Sequence, residues 1–521
     1  MRTFCTTGLC VPERNYMADI SEKLNQIYKM IDNGHYFTIN RARQYGKTTA
    51  LTALQRKLHN EYICVYISFE GLGDESFESS QVFCDAFMSL IQDELPHTSA
   101  AAEKGYVQAW HDPSVKEFRQ LSRHISKMCE NSKLVLMIDE VDKISNNRVF
   151  LNFLGMLRDK YLRRNSGKDK TFQSVILASV VDIKNIKLKM INEGVYPPSG
   201  QKGDIYNSPW NIAADFRVSM SLNSKEIRSM LSDYATDHHL GINIAALSEE
   251  IYGYTSGYPY MVSKICQLID ECLCRNWTAQ GIQDAVKILL IEKSPLFNDM
   301  IKNMTSSPDV YKFMYELMIT GDQKSYNIDV PEIDLGVMYG FIKNNDGKAV
   351  ISNRVFEVRM TEYFSTTESG IRIKNGFNRV LKQDVISNGR FNMELCLRKF
   401  QEHYREIFSK NDEPFLERSG RLLFISYIRP LINGGGFYHI ESQFTDLRRM
   451  DLVVDYGSEQ FIIELKVWRG EMSHNDAYEQ LSGYLEKKNR QIGYLLTFDF
   501  RKSNSGAYRA ECKRQIDGVP N

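Results

Sequence analysis

The chain has 521 residues, 43% of them hydrophobic and 25% charged, with 65 Lys and Arg balancing 65 Asp and Glu. That length calls for roughly three or four domains of ~100 to 200 residues, and the composition is that of globular cores of some size. Zero net charge excludes wholesale electrostatic attraction to nucleic acid and leaves room only for local basic patches. No apolar run reaches the ~20 residues that a membrane helix needs, and MRTFCTTGLCVPERNYM has no long apolar core of a secretion signal, so a cytoplasmic protein without a membrane partner is expected. The ten cysteines are dispersed, and Cys266, Cys272 and Cys274 lack the paired spacing of a zinc site, which predicts buried, reduced thiols.

In chain order, apolar residues at helical spacing (Ile20, Leu24, Ile27, Ile31) predict a helix that stops at Asp32-Asn33-Gly34. A β-forming run, His35 to Asn40, then feeds Arg41-Ala42-Arg43-Gln44-Tyr45-Gly46-Lys47-Thr48-Thr49, after which Leu51, Leu54 and Leu58 mark one face of a helix. Strand, loop, GKT and helix form the context of a phosphate-binding loop: amides at the helix N-terminus hold phosphate oxygens, Lys47 reaches the β- and γ-phosphates, and the Thr48 hydroxyl ligates Mg2+. Arg41 stands where the usual motif has its first Gly, and Arg41 and Arg43 add positive charge beside the phosphates. Tyr62 to Phe69 predicts a second strand. Lys133 to Asp142, KLVLMIDEVD, predicts a third that ends in acids about 90 residues after Lys47, a spacing common in ATPases of alternating strands and helices. Asp139 is expected to hold the Mg2+ shell and Glu140 to orient or activate the water that attacks the γ-phosphate. Thr171 to Ala178 predicts a fourth strand, and Ser179 at its end sits where ATPases of this type place a polar residue that senses the γ-phosphate. The pattern implies a parallel sheet with nucleotide at the strand C-termini.

Beyond it, Ser208-Pro209-Trp210-Asn211-Ile212 closes a loop expected over or beside the nucleotide, and Asn223 to Glu226 reads as a capping box opening a helix. Tyr254-Thr255-Ser256-Gly257-Tyr258-Pro259-Tyr260 breaks the helical run Glu249 to Leu273. It resembles the GxP turn in the helical lid of AAA-like and STAND-type ATPases, and a plain helix-breaking turn reads equally well. Asp309 to Met318 and Ile333 to Lys343 predict two short helices, and Asn345-Asp346-Gly347 a hairpin turn. Helices followed by such a hairpin resemble a winged helix.

Near the C-terminus, Glu417 to Leu431 predicts a core helix and Phe437 to Gln443 a strand. Leu452-Val453-Val454 and Phe461-Ile462-Ile463 are two strands of a hairpin about Asp455-Tyr456-Gly457-Ser458. Alternation along the second strand points Glu464 and Lys466 to one face with Leu465 turned inward, and the hairpin can bring Asp451 alongside. Two carboxylates and an ammonium at one spot suit a divalent metal and a hydrolytic water. Arg449-Met450-Asp451 with Glu464-Leu465-Lys466 resembles the PD-(D/E)xK nuclease core, with Met450 in place of Pro. The resemblance implies a further acid at Glu417 and a Gln facing back at Gln480, in the helix Ala477 to Leu485. Ile492 to Phe500 predicts the last long strand, followed by a basic tail.

RARQYGKTT, LMIDEVD, TSGYPYMVSKICQ and ISNRVFEVRMTEYF together resemble a group of bacterial AAA-like P-loop ATPases, some of which carry a C-terminal PD-(D/E)xK domain. The expected fold class is α/β: a P-loop ATPase core over residues 1–218, a helical lid over 219–303, a winged helix over 304–366 and a restriction-endonuclease-like domain with a helical linker over 367–521. The expected ligands are ATP and Mg2+. Nucleotide is assigned to Arg43, Gly46, Lys47, Thr48, Thr49, Asp139 and Ser179, and metal to Thr48, Asp139, Asp451 and Glu464. Catalysis is assigned to Glu140, Glu417, Asp451, Glu464, Lys466 and Gln480. The expected partner is nucleic acid, DNA before RNA, with a homo-oligomer left open. Two rival functions are a nucleotide switch with a non-cleaving nuclease-like domain and a winged-helix regulator that binds DNA.

Overall fold

The structure is a computed structural model that describes residues 2–97, 104–141, 147–180, 210–305, 307–320, 324–367, 382–387 and 389–407. Further toward the C-terminus it describes 424–425, 427–429, 431–432, 436–439, 452–457, 459–467, 477–479, 481–483, 485–486 and 490–498. The chain divides into two units, Met1–Ala285 with Met338–Gly340, and Val286–Val337 with Phe341–Asn521.

The first unit begins with two short paired strands, β1 (Thr3–Phe4) and β2 (Asn15–Tyr16). Its centre is a parallel sheet of β3 (Phe37–Asn40), β4 (Ile63–Ser68), β5 (Leu134–Asp139) and β6 (Ser174–Ser179), in the order β3-β6-β5-β4. Every residue of β5 and β6 is buried, as unbroken apolar runs covered on both faces require. Helices Ser21–Asp32 and Lys47–Leu58 cover one face, where Ile27, Ile31, Leu51 and Leu54 pack on Ile39, Met137 and Ile176. Phe83, Phe87, Leu121, Phe150 and Phe153, from helices Ser80–Glu94, Phe118–Met128 and Arg148–Asn165, fill the other face against Val65, Leu136 and Leu177.

Of the loop expected over or beside the nucleotide, only its closing residues from Trp210 onward are described, and Trp210 itself lies elsewhere. Ser208 and Pro209 lie outside the described residues. Trp210 is fully buried in the second of these cores with its ring 6.0 Å from that of Tyr36, and the Ala214 amide donates to the Tyr36 carbonyl. Tyr36 precedes β3, whereas the phosphate loop leaves β3 after Asn40, about 13 Å farther along an extended strand. The apolar indole goes to the core rather than to a nucleotide.

Three helices follow: Ser224–His238, Ile244–Thr255 and Pro259–Glu271. The first opens on a true capping box, with Asn223 Oδ1 accepting from the Glu226 amide and Glu226 accepting from the Asn223 amide. Cys266 is buried, but Cys272 and Cys274 lie past the end of the third helix and are exposed, against expectation.

In the second unit, helix Pro308–Tyr315, β7 (Lys324–Ser325) and helix Pro331–Met338 precede the hairpin of β8 (Ile342–Asn345) and β9 (Lys348–Ile351). The sheet order is β7-β9-β8, all antiparallel. Asp346 and Gly347 both take positive φ, 48° and 80°, as a two-residue hairpin turn demands. The helix predicted to run to Lys343 stops at Met338, because Gly340 (φ 76°) turns the chain and Ile342 already belongs to β8.

Helix Arg354–Thr367 follows, then the small pair β10 (Ile386–Ser387) and β11 (Arg390–Phe391) and helix Met393–Ile407. The last sheet is β12 (Gly436–His439), β13 (Leu452–Tyr456), β14 (Glu459–Val467) and β15 (Tyr494–Phe498) in that order, antiparallel except that β14 and β15 run parallel. Leu452, Val454, Ile463, Leu465 and Leu496 pack on Cys396, Phe400, Phe424 and Ile428. Val453 and Ile462, on the opposite face, pack on Leu481 and Leu485. Among the described residues no helix is long and apolar enough to cross a membrane.

Candidate functional site

The loop between β3 and the Lys47–Leu58 helix is shaped by two left-handed residues, Gln44 (φ 58°) and Gly46 (φ 76°). Gly46 is the N-cap of the helix, so the loop delivers the free amides of a helix N-terminus and the positive end of its dipole to one place. Lys47 is buried, and its ammonium donates to the carbonyls of Arg41 (2.9 Å) and Ala42 (3.2 Å). Thr48 Oγ1 donates to Asp139 Oδ2 at 2.8 Å, joining the loop to the acid that ends β5. Asp139 is 2% exposed. It also accepts from Tyr66 Oη at 2.9 Å and from the Glu140 amide at 2.9 Å. Burial and the adjacent Asp139 carboxylate push the Tyr66 phenol far above its ordinary range, which keeps it a donor.

Glu140 is half-buried and takes φ 56°, a conformation costing about 1 kcal/mol or more for an L-residue, directly after Asp139. Ser179 is buried, donates from Oγ to Asn40 Oδ1 at 3.0 Å, and its carbonyl accepts from the Arg41 amide. Thr49 is turned toward the N-terminal segment, where its Oγ1 accepts from the Cys10 amide at 3.4 Å. Arg43 is exposed, and its carbonyl accepts from Tyr258 Oη at 2.6 Å.

Thr48 and Asp139 therefore meet, with Lys47 and Glu140 next to them in the chain and Ser179 beside the start of the loop. Arg41 does not face the phosphate position: its guanidinium donates to the carbonyls of Asn40 (2.7 Å) and Val218 (3.2 Å) and lies over the Phe216 ring. Burial lowers its pKa. Where the usual motif has a Gly, this chain uses an Arg to tie down its own backbone. Sequence reasoning missed Tyr66 and Asn40 as partners of Asp139 and Ser179; the signal was their position on β4 and β3, the strands paired with β5 and β6.

The donor set fits a magnesium nucleotide. A hydroxyl and a buried carboxylate meet at 2.8 Å, and a lysine folded onto two carbonyls can exchange those weak acceptors for phosphate oxygens.

In the second unit, Glu464 is fully buried on β14, with Oε1 2.9 Å from Lys466 Nζ. Strand alternation puts both on the face that carries Ile462, covered by Leu481 and Leu485. Leu452, the first residue of β13, pairs with Ile463, the neighbour of Glu464. Asp451, Glu417 and Gln480 lie outside the described residues. Among the described residues no three His, Cys, Asp or Glu side chains cluster as a metal site. At the turn end of the same hairpin, Asp455 accepts from Gln460 at 2.7 Å and lies 3.8 Å from Arg354.

An uncharacterized WD repeat-containing protein of Synechocystis is 21% identical over 267 residues, which are 50% of this chain and 21% of that protein. The chain thus spans about a fifth of the length of the curated relative it matches. Similar solved structures include the Walker-type ATPase of Pyrococcus abyssi (11% identity, 68% of this chain, 99% of that one, TM-score 0.46). Cdc6p of Pyrobaculum aerophilum is another (12% identity, 70% and 97%, TM-score 0.32). A third is the ORC2 protein of Aeropyrum pernix in its ADPNP-ADP complexes (12% identity, 69% and 94%, TM-score 0.30). Residues 14–365, more than half of the chain and all of the phosphate-loop site, match the AAA-like domain, and the protein belongs to that family of P-loop ATPases.

Proposed function

We propose that this AAA-like protein binds and hydrolyses ATP with Mg2+ in its first unit, and that this site governs a metal-dependent nuclease in its second unit acting on DNA. The observation that carries the reading is the 2.8 Å contact of Thr48 with Asp139, which links the phosphate loop to the acid of β5. When bound, Mg2+ would neutralise phosphate charge and ATP would supply the transferable phosphoryl group. Lys47 would bind the β- and γ-phosphate oxygens, Gly46 and Thr49 would offer loop amides, and Asp139 would hold the metal shell with Thr48. Glu140, beside Asp139, would orient the attacking water, and Ser179 would read the γ-phosphate end. Arg43 would add exposed positive charge at the mouth.

The buried Glu464 with Lys466 at 2.9 Å supports the nuclease half. An acid without a neighbouring cation would be costly at that depth, and the lysine that compensates it is the one a hydrolytic site needs. Asp451, adjacent in sequence to Leu452, is proposed as the second metal-binding acid, with Glu417 and Gln480 completing the set. The helix, strand, helix and hairpin order over residues 308–351 supports a winged-helix fold.

The test is incubation of linear and circular DNA, and then of RNA, with the protein in Mg2+ or Mn2+, with and without ATP, beside Lys47→Ala and the Glu464→Ala, Lys466→Ala double variant. Cleavage that the double variant loses and ATP modulates is expected. Intact DNA and RNA under all conditions, with ATP still hydrolysed, would reduce the reading to a nucleotide switch.

A further inference from the structure

The turn Gly257-Tyr258-Pro259, between the helices Ile244–Thr255 and Pro259–Glu271, touches the phosphate loop. Tyr258 is almost fully buried, and its Oη donates to the Arg43 carbonyl at 2.6 Å. Its ring packs edge-on against Tyr45 of the loop, with centroids 4.5 Å apart and planes at 64°, while Tyr45 Oη shares a 3.0 Å hydrogen bond with Ser221 Oγ. The turn itself is pinned. The Leu222 amide donates to the Gly257 carbonyl, the Gly257 amide donates to Thr255 Oγ1, and a Cβ at Gly257 would sit 1.7 Å from the Leu222 carbonyl oxygen.

The Arg43 carbonyl and the Gln44 amide belong to one planar trans peptide and point in opposite directions. Gln44 is left-handed at φ 58°, which a side-chain-bearing residue adopts only where its surroundings hold it. A donor fixed on the carbonyl therefore aims the amide the other way, as a phosphate-cradling loop requires.

We infer that Tyr258 is a positioning residue for the nucleotide: its hydroxyl latches the lid turn to the loop backbone and sets the peptide that presents the Gln44 amide to phosphate. The inference rests on the ATP reading above. It also makes lid position and phosphate affinity two readouts of one contact, since moving the turn away removes the hydroxyl from the Arg43 carbonyl.

The experiment is titration of the full chain with a fluorescent ATP analogue in Mg2+, together with ATPase kinetics, for wild type, Lys47→Ala, Tyr258→Phe and Tyr234→Phe. Tyr234→Phe is the structural control, because it deletes a lid hydrogen bond of the same length, 2.6 Å to Asp270, away from the loop. Tyr258→Phe is expected to weaken binding about fivefold, the worth of one net hydrogen bond, and to raise KM by that factor with kcat within about twofold. Tyr234→Phe is expected to bind as wild type does. Titration stoichiometry reports the folded fraction separately from Kd, so a partly unfolded variant still gives an answer. Wild-type affinity in Tyr258→Phe, or equal weakening by Tyr234→Phe, would overturn the latch. Wild type that fails to bind, or binds no better than Lys47→Ala, would overturn the ATP reading and the latch with it.

Discussion

Replacing Tyr66 by Phe removes one oxygen from the site and leaves the ring. In the wild type that oxygen donates at 2.9 Å to Asp139 Oδ2, which also accepts from Thr48, and the carboxylate is 2% exposed. A hydrogen bond to a charged, desolvated acceptor is worth about 1.5–3 kcal/mol, and water has little access to replace it. For a unit of this size each kcal/mol moves the melting midpoint by roughly 2 °C, so the nucleotide-free protein should melt about 3–6 °C lower. The phenol stays protonated because burial and Asp139 both raise its pKa, so the loss should be the same from pH 6 to pH 9. Thermal unfolding followed by circular dichroism, with Asp139→Asn and the double variant, measures it as a cycle. A Tyr66→Phe midpoint within about 1 °C of wild type, or a vanishing coupling with Asp139, would refute the reasoning.

Two glycines of positive φ should respond differently to Ala. Gly257→Ala meets both the left-handed penalty and the backbone of Leu222 at 1.7 Å, for a loss of about 2–5 kcal/mol in urea unfolding. Gly46→Ala has nothing within 4 Å of the added carbon and should lose only about 1–2 kcal/mol; equal losses would contradict the account. Asp455 has its pKa raised by burial above the ordinary 3.8, against the pull of Gln460 and Arg354. The folded state thus holds its proton to higher pH than the unfolded one, and stability from this group falls as pH rises from 3.8 through the raised native value. Asp455→Asn should therefore melt higher than wild type at pH 7, with the gap closing toward pH 3.8, and a gap that widens on acidification would sink the assignment. The Cys5 thiol is lowered to about 7, chiefly by a hydrogen bond from Cys10. Alkylation of Cys5 by iodoacetamide, read by mass spectrometry, should reach half its maximal rate below the ordinary thiol value of 9.0. Cys10→Ala should move that midpoint upward, and an unmoved midpoint would count against the pairing.

Much of the first unit could be read from sequence because its signals are local. GKT after a β-forming run marks a loop that can only lead from strand into helix, and LVLMID followed by Glu140 marks a buried strand whose end must be polar. Asn223 and Glu226 announce a cap that the backbone then makes. Glu464 and Lys466 share a face because strand geometry leaves no alternative. What escaped depends on contacts between distant segments. Arg41 was expected to add positive charge beside the phosphates, yet its guanidinium donates to carbonyls as remote as that of Val218. Trp210 looked like a loop residue and fills the core beside Tyr36. Tyr66 carried no motif, Tyr258 sat in the GxP-like turn without an assigned role, and only the folded chain puts their hydroxyls on Asp139 and on the Arg43 carbonyl.

The central claim is that Lys47, Thr48 and Asp139 build one magnesium-nucleotide site. The direct measurement is steady-state ATP hydrolysis by the full chain in Mg2+, beside Lys47→Ala and Asp139→Asn, each verified as folded. The account predicts hydrolysis that requires Mg2+ and falls at least about a hundredfold in both variants, as loss of a preorganised charge at the reacting phosphate implies. Hydrolysis that persists in folded Lys47→Ala, or that proceeds equally without Mg2+, would contradict it.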